Sequence, residues 1–212
     1  MATNLDPHRF LTALRGMGVD GLFCRAGQGA ETLTSLRQTV MNCIKCDLCR
    51  TRRSVVFGEG NQAAHVVFIG EAPGEEEDLQ GKPFVGRAGR LLERLIRHIG
   101  LSRNDVFICN VLKCRPPANR DPEQKEIEAC KGYLFDQIGL IQPKVICVLG
   151  RHAHNTVFDV DERITKVRGQ IREWQGMSVI STFHPSFLLR NESHMKEALE
   201  DMENLRHLLE AS

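Results

Sequence analysis

Four apolar runs dominate the chain, at 65–69 (HVVFI), 106–111 (VFICNV), Val145–Leu149 (VICVL) and 177–183 (MSVISTF). Stretches of helical periodicity lie between them at 88–99, 122–141 and Arg151–Phe158, and a last one covers 194–209. The runs recur roughly every 35–40 residues, without any internal sequence repeat. A continuously apolar strand has no polar face to offer water, so both its faces must be covered, and a helix after each strand supplies the cover. The expected fold is α/β, a four-stranded parallel sheet flanked by helices on both faces. With 212 residues and 42% hydrophobic content, one sizeable core is the default. Residues 1–40 carry weak periodicity (Phe10, Leu11, Leu14) broken by Gly16, Gly18, Gly21, Gly27 and Gly29. They are expected to form an appended helical segment ahead of a domain spanning 41–212.

Parallel strands end on one edge of the sheet, which is where ligands bind in open α/β folds. Glu71 follows the first run, Asn110 closes the second, Gly150 ends the third and His184 follows the fourth. A carboxylate, an amide and an imidazole converging on one edge make a candidate active site. The loop after the first run reads Gly70-Glu71-Ala72-Pro73-Gly74-Glu75-Glu76-Glu77-Asp78, then Gly81-Lys82-Pro83-Phe84-Val85-Gly86. Phosphate cradles use backbone N–H groups without such a string of carboxylates. This loop suits water, a cation or a sugar better. A net charge of +1 excludes a global basic field, so any nucleic-acid contact must come from local patches. No signal peptide and no apolar run of membrane length is visible, which points to the cytoplasm and away from any membrane.

Eight cysteines are many for such a chain, and in a reducing compartment a clustered set means metal more often than disulfides. Cys43, Cys46 and Cys49 form two overlapping C-x-x-C pairs, Cys114 precedes Arg115-Pro116-Pro117, and Cys130 lies on the following helix. Four thiolates of this kind fit a tetrahedral zinc or an iron–sulfur cluster, and spacing alone neither chooses between them nor says which of the first three are ligands. Cys109 and Cys147 fall inside strands as small buried hydrophobes. Cys24 has no assigned role.

Taken together, GEAPGEEED with GKPFVGRAG, NVLKCRPP, HPSFLLR after the last strand, and C-x-x-C ahead of VVFGEG resemble the family 4 uracil-DNA glycosylases, iron–sulfur members of their superfamily. The resemblance runs from about 40 to 190. It implies removal of uracil from DNA by hydrolysis of the N-glycosidic bond, with uracil-containing DNA as partner; the alternatives are a non-catalytic iron–sulfur DNA-binding module or a glycosylase for another deaminated base. A monomer is expected, and because no lysine in these motifs suits Schiff-base chemistry, a monofunctional enzyme. The resemblance further implies a [4Fe–4S] cluster held by Cys43, Cys46, Cys114 and Cys130, with Cys49 spare. In the site, Phe84 would stack on the extruded base and Asn110 would read its Watson–Crick edge. His184 would hydrogen-bond uracil O2, and Glu71 would orient the attacking water, with Glu77 and Asp78 as second candidates. Ala72 beside Glu71 would line the substrate pocket. Contacts to DNA are expected from Lys166 and Arg168 in one loop and from Leu188, Leu189 and Arg190 in another, where the leucines offer an apolar wedge. The arginines at 87, 90, 94 and 97 read as a solvated helix face. A branch of the superfamily that carries a histidine on an inserted basic loop after the second strand is disfavoured, because RPPANRDPEQ follows Cys114 directly.

Overall fold

The structure, a computed structural model, describes residues 32–211. The described residues begin with α1 (Leu33–Met41) and continue through β1 (Glu59–Gly60), β2 (Val66–Gly70), α2 (Glu75–Gln80), α3 (Arg87–His98) and β3 (Phe107–Asn110). It then runs through α4 (Gln124–Ile141), β4 (Val145–Leu149), α5 (Arg151–Phe158), α6 (Ile164–Val167), β5 (Ile171–Trp174), β6 (Met177–Thr182), α7 (Pro185–Leu188) and α8 (Met195–Ala211). The six strands form one sheet in the order β1-β3-β2-β4-β6-β5. Its centre, β3-β2-β4-β6, is parallel throughout and coincides with the four expected strands.

The sheet is wider than expected by one antiparallel strand at each edge. Neither edge strand carries a readable period. β1 has two residues, and β5 (IREW) alternates exposed with half-buried positions. A tight turn through Gln175 and Gly176, both at positive φ, folds β5 back onto β6, the geometry that gives two-residue hairpin turns their twist.

Side chains alternate across the central strands, so each face has its own core. Val67, Ile69, Cys109, Ile146 and Val148 pack with α1, α4 and α5. Val66, Phe68, Ile108, Cys147 and Ile180 pack with α3 and α8 on the other face. Cys109 and Cys147 are thus buried strand residues, as expected. Helix α3 buries Leu91, Leu92, Leu95 and Ile96 and leaves Arg87, Arg90, Arg94 and Arg97 exposed, the split its 3.6-residue period dictates. Most of the expected 1–40 segment, Cys24 included, lies outside the described residues. Its described end, α1, is capped by a reciprocal Thr32–Ser35 pair and places Leu33, Leu36 and Val40 in the core against α4.

Candidate active site

The carboxyl ends of β2 and β3 open into a cleft of about 370 Å³. Its walls carry Glu71, Ala72, Phe84, Asn110, Asp121, His184 and Arg190, so the strand-end residues singled out in the sequence meet in one place. The β2–β3 ladder continues past the strands, with Val111 N–H donating to Gly70 O at 2.9 Å and Leu112 N–H to Glu71 O at 3.0 Å. This registers Gly70 opposite Asn110 and brings Glu71 to the next step along the same edge. Gly70 is needed here for space: a Cβ would lie 2.3 Å from Asn110 Oδ1 and 2.6 Å from the Phe84 ring.

Asn110 is 1% exposed, and its Oδ1 is a buried polar atom without a hydrogen-bond partner. Leaving such an acceptor dry costs about 1–3 kcal/mol, so in a folded chain it marks a place a ligand fills. Phe84 is 6% exposed and adopts φ 51°, the left-handed region that a bulky residue rarely takes. The turn is held in that state from two sides. Arg103 donates to Phe84 O (3.0 Å) and to Pro83 O, and Glu77 Oε1 accepts from Val85 N–H and Gly86 N–H at 2.9 Å each. The Phe84 ring stands 5.7 Å from the His184 ring, tilted by 35°.

His184 caps α7. Its Nδ1 accepts from Ser186 N–H at 3.1 Å and pairs with Ser186 Oγ at 2.7 Å. An acceptor nitrogen carries no proton, so the neutral ring bears its hydrogen on Nε2. Burial, and then the Arg190 guanidinium, push the imidazole down to about 4, which keeps it neutral near pH 7. Glu71 shifts the other way: burial raises its carboxyl, His152 opposes the rise and Asp121 adds to it.

Several expected site residues have other occupations. Glu77 lines the cleft, and its Oε1 is engaged by the Val85 and Gly86 amides, so it shapes the Phe84 turn. Asp78 is 3% exposed and accepts from Arg53 N–H and Ser54 N–H, away from the cleft lining. Arg168 binds the buried Asp201 through Nε (2.9 Å) and Nη2, and Glu197 O through Nη2 (2.7 Å), so its charge is not free for phosphate. Leu188 is fully buried in the core and is no wedge. Lys166 is exposed on α6, outside the cleft. Leu189 is half-buried, in a groove shared with Arg87, Arg90, Arg94 and Arg97, and Arg190 is exposed at the cleft.

A profile of the Uracil DNA glycosylase superfamily matches residues 57–203. Among similar proteins, the Type-4 uracil-DNA glycosylase of Thermotoga maritima is 49% identical over 84% of this chain and 95% of its own length. Those of Sulfurisphaera tokodaii and Saccharolobus solfataricus are 46% and 47% identical over 84% of this chain and 85% and 87% of theirs. The chain belongs to the type-4 uracil-DNA glycosylases.

For this type-4 glycosylase the cysteines form a second site. Cys43, Cys46, Cys49, Cys114 and Cys130 line one small pocket between α1, α4 and the loop after β3. Their spread bears on the choice between zinc and a cluster. A tetrahedral zinc with Zn–S bonds of about 2.3 Å brings its sulfurs to about 3.8 Å of one another. Among the described residues, the trio whose donor atoms lie within 4.8 Å of one another is Glu71, Asp121 and His152, with no three cysteine sulfurs that close. Wider spacing is what a cubane needs, since each of its sulfurs reaches a different iron. Donors surround the thiols: Arg52 Nη1 to Cys114 Sγ (3.2 Å), Lys113 N–H to Cys130 Sγ (3.3 Å) and Lys45 N–H to Cys43 Sγ (3.5 Å). Burial pushes the Cys130 thiol up to about 11, so that residue needs a cationic centre to exist as a thiolate. The donor set therefore fits an iron–sulfur cluster.

Sequence reasoning missed Arg103, Lys113, Asp121 and His152. Lys113 is 1% exposed, and its Nζ donates to Asn110 O (2.7 Å) and to Gln137 Oε1. A lone buried lysine is improbable from composition, and its partner Gln137 lies on α4, far along the chain. The one available signal was its place in NVLKCRPP, between the amide and the thiol.

Proposed function

We propose that this chain hydrolyses the N-glycosidic bond of uracil in DNA, releasing the free base and leaving an abasic site. The observation that carries the reading is the orphaned Asn110 Oδ1, buried beside the Phe84 ring in a cleft shared with His184 and Glu71. Uracil presents N3–H as a donor and O4 as an acceptor, which an asparagine amide matches with Oδ1 and Nδ2. Cytosine presents the reverse, so the same amide leaves it unpaired, and unpaired buried polar groups are how such sites discriminate.

An extruded base would slide under Phe84, whose strained turn is braced by Arg103 and Glu77. Stacking of this kind is worth about 1–3 kcal/mol per base. As the bond to the sugar parts, negative charge gathers on uracil O2, and the neutral His184 offers Nε2–H to it. One such preorganised donor contributes about 10²–10³ in rate. Glu71 orients the incoming water and offsets positive charge on the sugar. Arg190, exposed in the cleft lining, would meet a backbone phosphate.

In the cysteine pocket, Cys43, Cys46, Cys114 and Cys130 would hold a [4Fe–4S] cluster. Bound there, the cluster supplies a structural cross-link between the chain ahead of β1, the loop after β3 and α4. The test is a labelled uracil oligonucleotide, incubated with the protein and then treated with alkali. Wild type gives strand scission at uracil and none at cytosine, and Asn110→Ala loses most of that rate. Scission with Asn110→Ala at the wild-type rate would end the base-reading account.

A further inference from the structure

Glu71 does not act from an isolated position. His152, in the first turn of α5, and Asp121, in the loop between β3 and α4, approach it from two other elements of the same sheet edge. One donor atom from each of the three lies within 4.8 Å of the others, and His152 Nε2 pairs with Asp121 Oδ2 at 3.3 Å. Asp121 is largely exposed, whereas Glu71 and His152 are half-buried. Two carboxylates at this distance repel, and burial adds to the difficulty of keeping the inner one charged.

The other charged groups around Glu71 are committed elsewhere. Glu77, on α2, accepts from the Val85 and Gly86 amides. Arg120, next to Asp121, is held by Glu123 (3.0 Å) and Glu126 (2.7 Å). Arg151, at the start of α5, turns to Asp161 at 2.8 Å. His184 and Arg190 belong to the α7 side of the cleft, where the imidazole is neutral. His152 is thus the basic group that faces Glu71, and its Coulombic pull on that carboxyl opposes the push from burial and from Asp121.

We propose that His152, anchored by Asp121, is a positioning residue for hydrolysis: it aims the Glu71 carboxylate at the water and is the basic side chain set against it. Asp121 serves as the tether of that imidazole and also as a charge that Glu71 must tolerate. This inference rests on the uracil-excision reading for its catalytic part, but its electrostatic part can be read without catalysis.

The two tethering groups make opposite predictions. In His152→Gln the facing basic group is gone, so Glu71 should hold its proton to higher pH. The acid limb of the single-turnover rate profile should then move up by about one pH unit. The deficit should be largest on the acid side of the profile and should narrow as pH rises and Glu71 becomes ionised in both proteins. In Asp121→Asn the repulsion is gone and the limb should move down. Carbon-detected NMR titration of the glutamate side-chain carboxyls in the full chain should report the same opposite displacements for Glu71 directly. A general loosening of the loop would instead lower the rate at every pH and move neither limb nor titration. Unmoved titrations, or both variants moving the same way, overturn the proposal. A wild-type protein that releases no uracil while the two titrations still diverge would refute the excision reading and leave the tether standing.

Discussion

The chain from Asn110 to Cys114 runs from the cleft to the cysteine pocket, and the two ends treat buried polar atoms in opposite ways. At the cleft end Asn110 Oδ1 has no partner, and His184 lines the same cleft with its Nδ1 taken by Ser186. At the cysteine end the sulfurs of Cys114 and Cys130 each receive an N–H, from Arg52 and from Lys113. Lys113 joins the two, since its ammonium holds the Asn110 carbonyl while its backbone serves Cys130. The difference teaches how to tell a binding site from a structural one in the same neighbourhood. Unsatisfied groups await a ligand that comes and goes, and satisfied groups surround one that stays.

The strongest way to break this comparison is to attack the permanent end. Cys114→Ser should lose visible absorbance and iron content and fail to fold cooperatively, whereas Cys49→Ala should keep all three. Iron analysis and thermal melts check this, and stoichiometric zinc in a colourless wild type would remove the contrast. Next in size is a test of Arg168 as structure. Arg168→Gln leaves the Asp201 carboxylate, 1% exposed, without its partner, and breaking a buried pair costs about 3–5 kcal/mol. Denaturant melts should show that loss, with the salt dependence of DNA binding unchanged.

The temporary end is probed by His184→Ala, which should cut the single-turnover rate by about 10²–10³ while the protein stays folded. A pH signature accompanies it. The folded-state value of about 4 lies below the ordinary 6.5, so on acidification the unfolded chain takes up the proton first. This contribution to stability is complete above 6.5 and is lost as pH falls to about 4, and denaturant melts of His184→Ala should lack it. The smallest effect is expected at the rim. Arg190→Gln should lower the slope of log affinity against log salt by about 0.7–0.9, one phosphate contact, and leave stability alone. An unchanged slope would remove Arg190 from the DNA path.

How much of this could be read from the residues alone varies with the range over which each feature is decided. The four central strands and the amphipathic α3 announce themselves through local periods. The edge strands do not: β1 is too short to have one, and β5 exists because Gln175 and Gly176 turn it back on β6. Glu71, Asn110 and His184 were legible because each stands at or just past a strand end whose position the period already sets, and Phe84 was legible only through the motif that the resemblance supplied. Glu77 and Asp78 stood as second candidates behind Glu71 in an acidic string, and α2 turns them onto backbone amides that only the folded loop presents. Leu188 and Leu189 are adjacent and chemically alike, and a single helical step sends one into the core and the other into the groove.

The order of apolar runs, by itself, determined the layered parallel sheet and put a carboxylate, an amide and an imidazole on one edge, because periodicity and chain direction are properties of consecutive residues. Pairings between side chains far apart in the chain were decided only in three dimensions: Arg168 with Asp201, Lys113 with the Asn110 carbonyl, His152 with Asp121 beside Glu71. A charged side chain of several rotatable bonds carries no mark of its partner. Which neighbour it meets depends on where two separate elements come to rest, and that is set by the packing of the whole core.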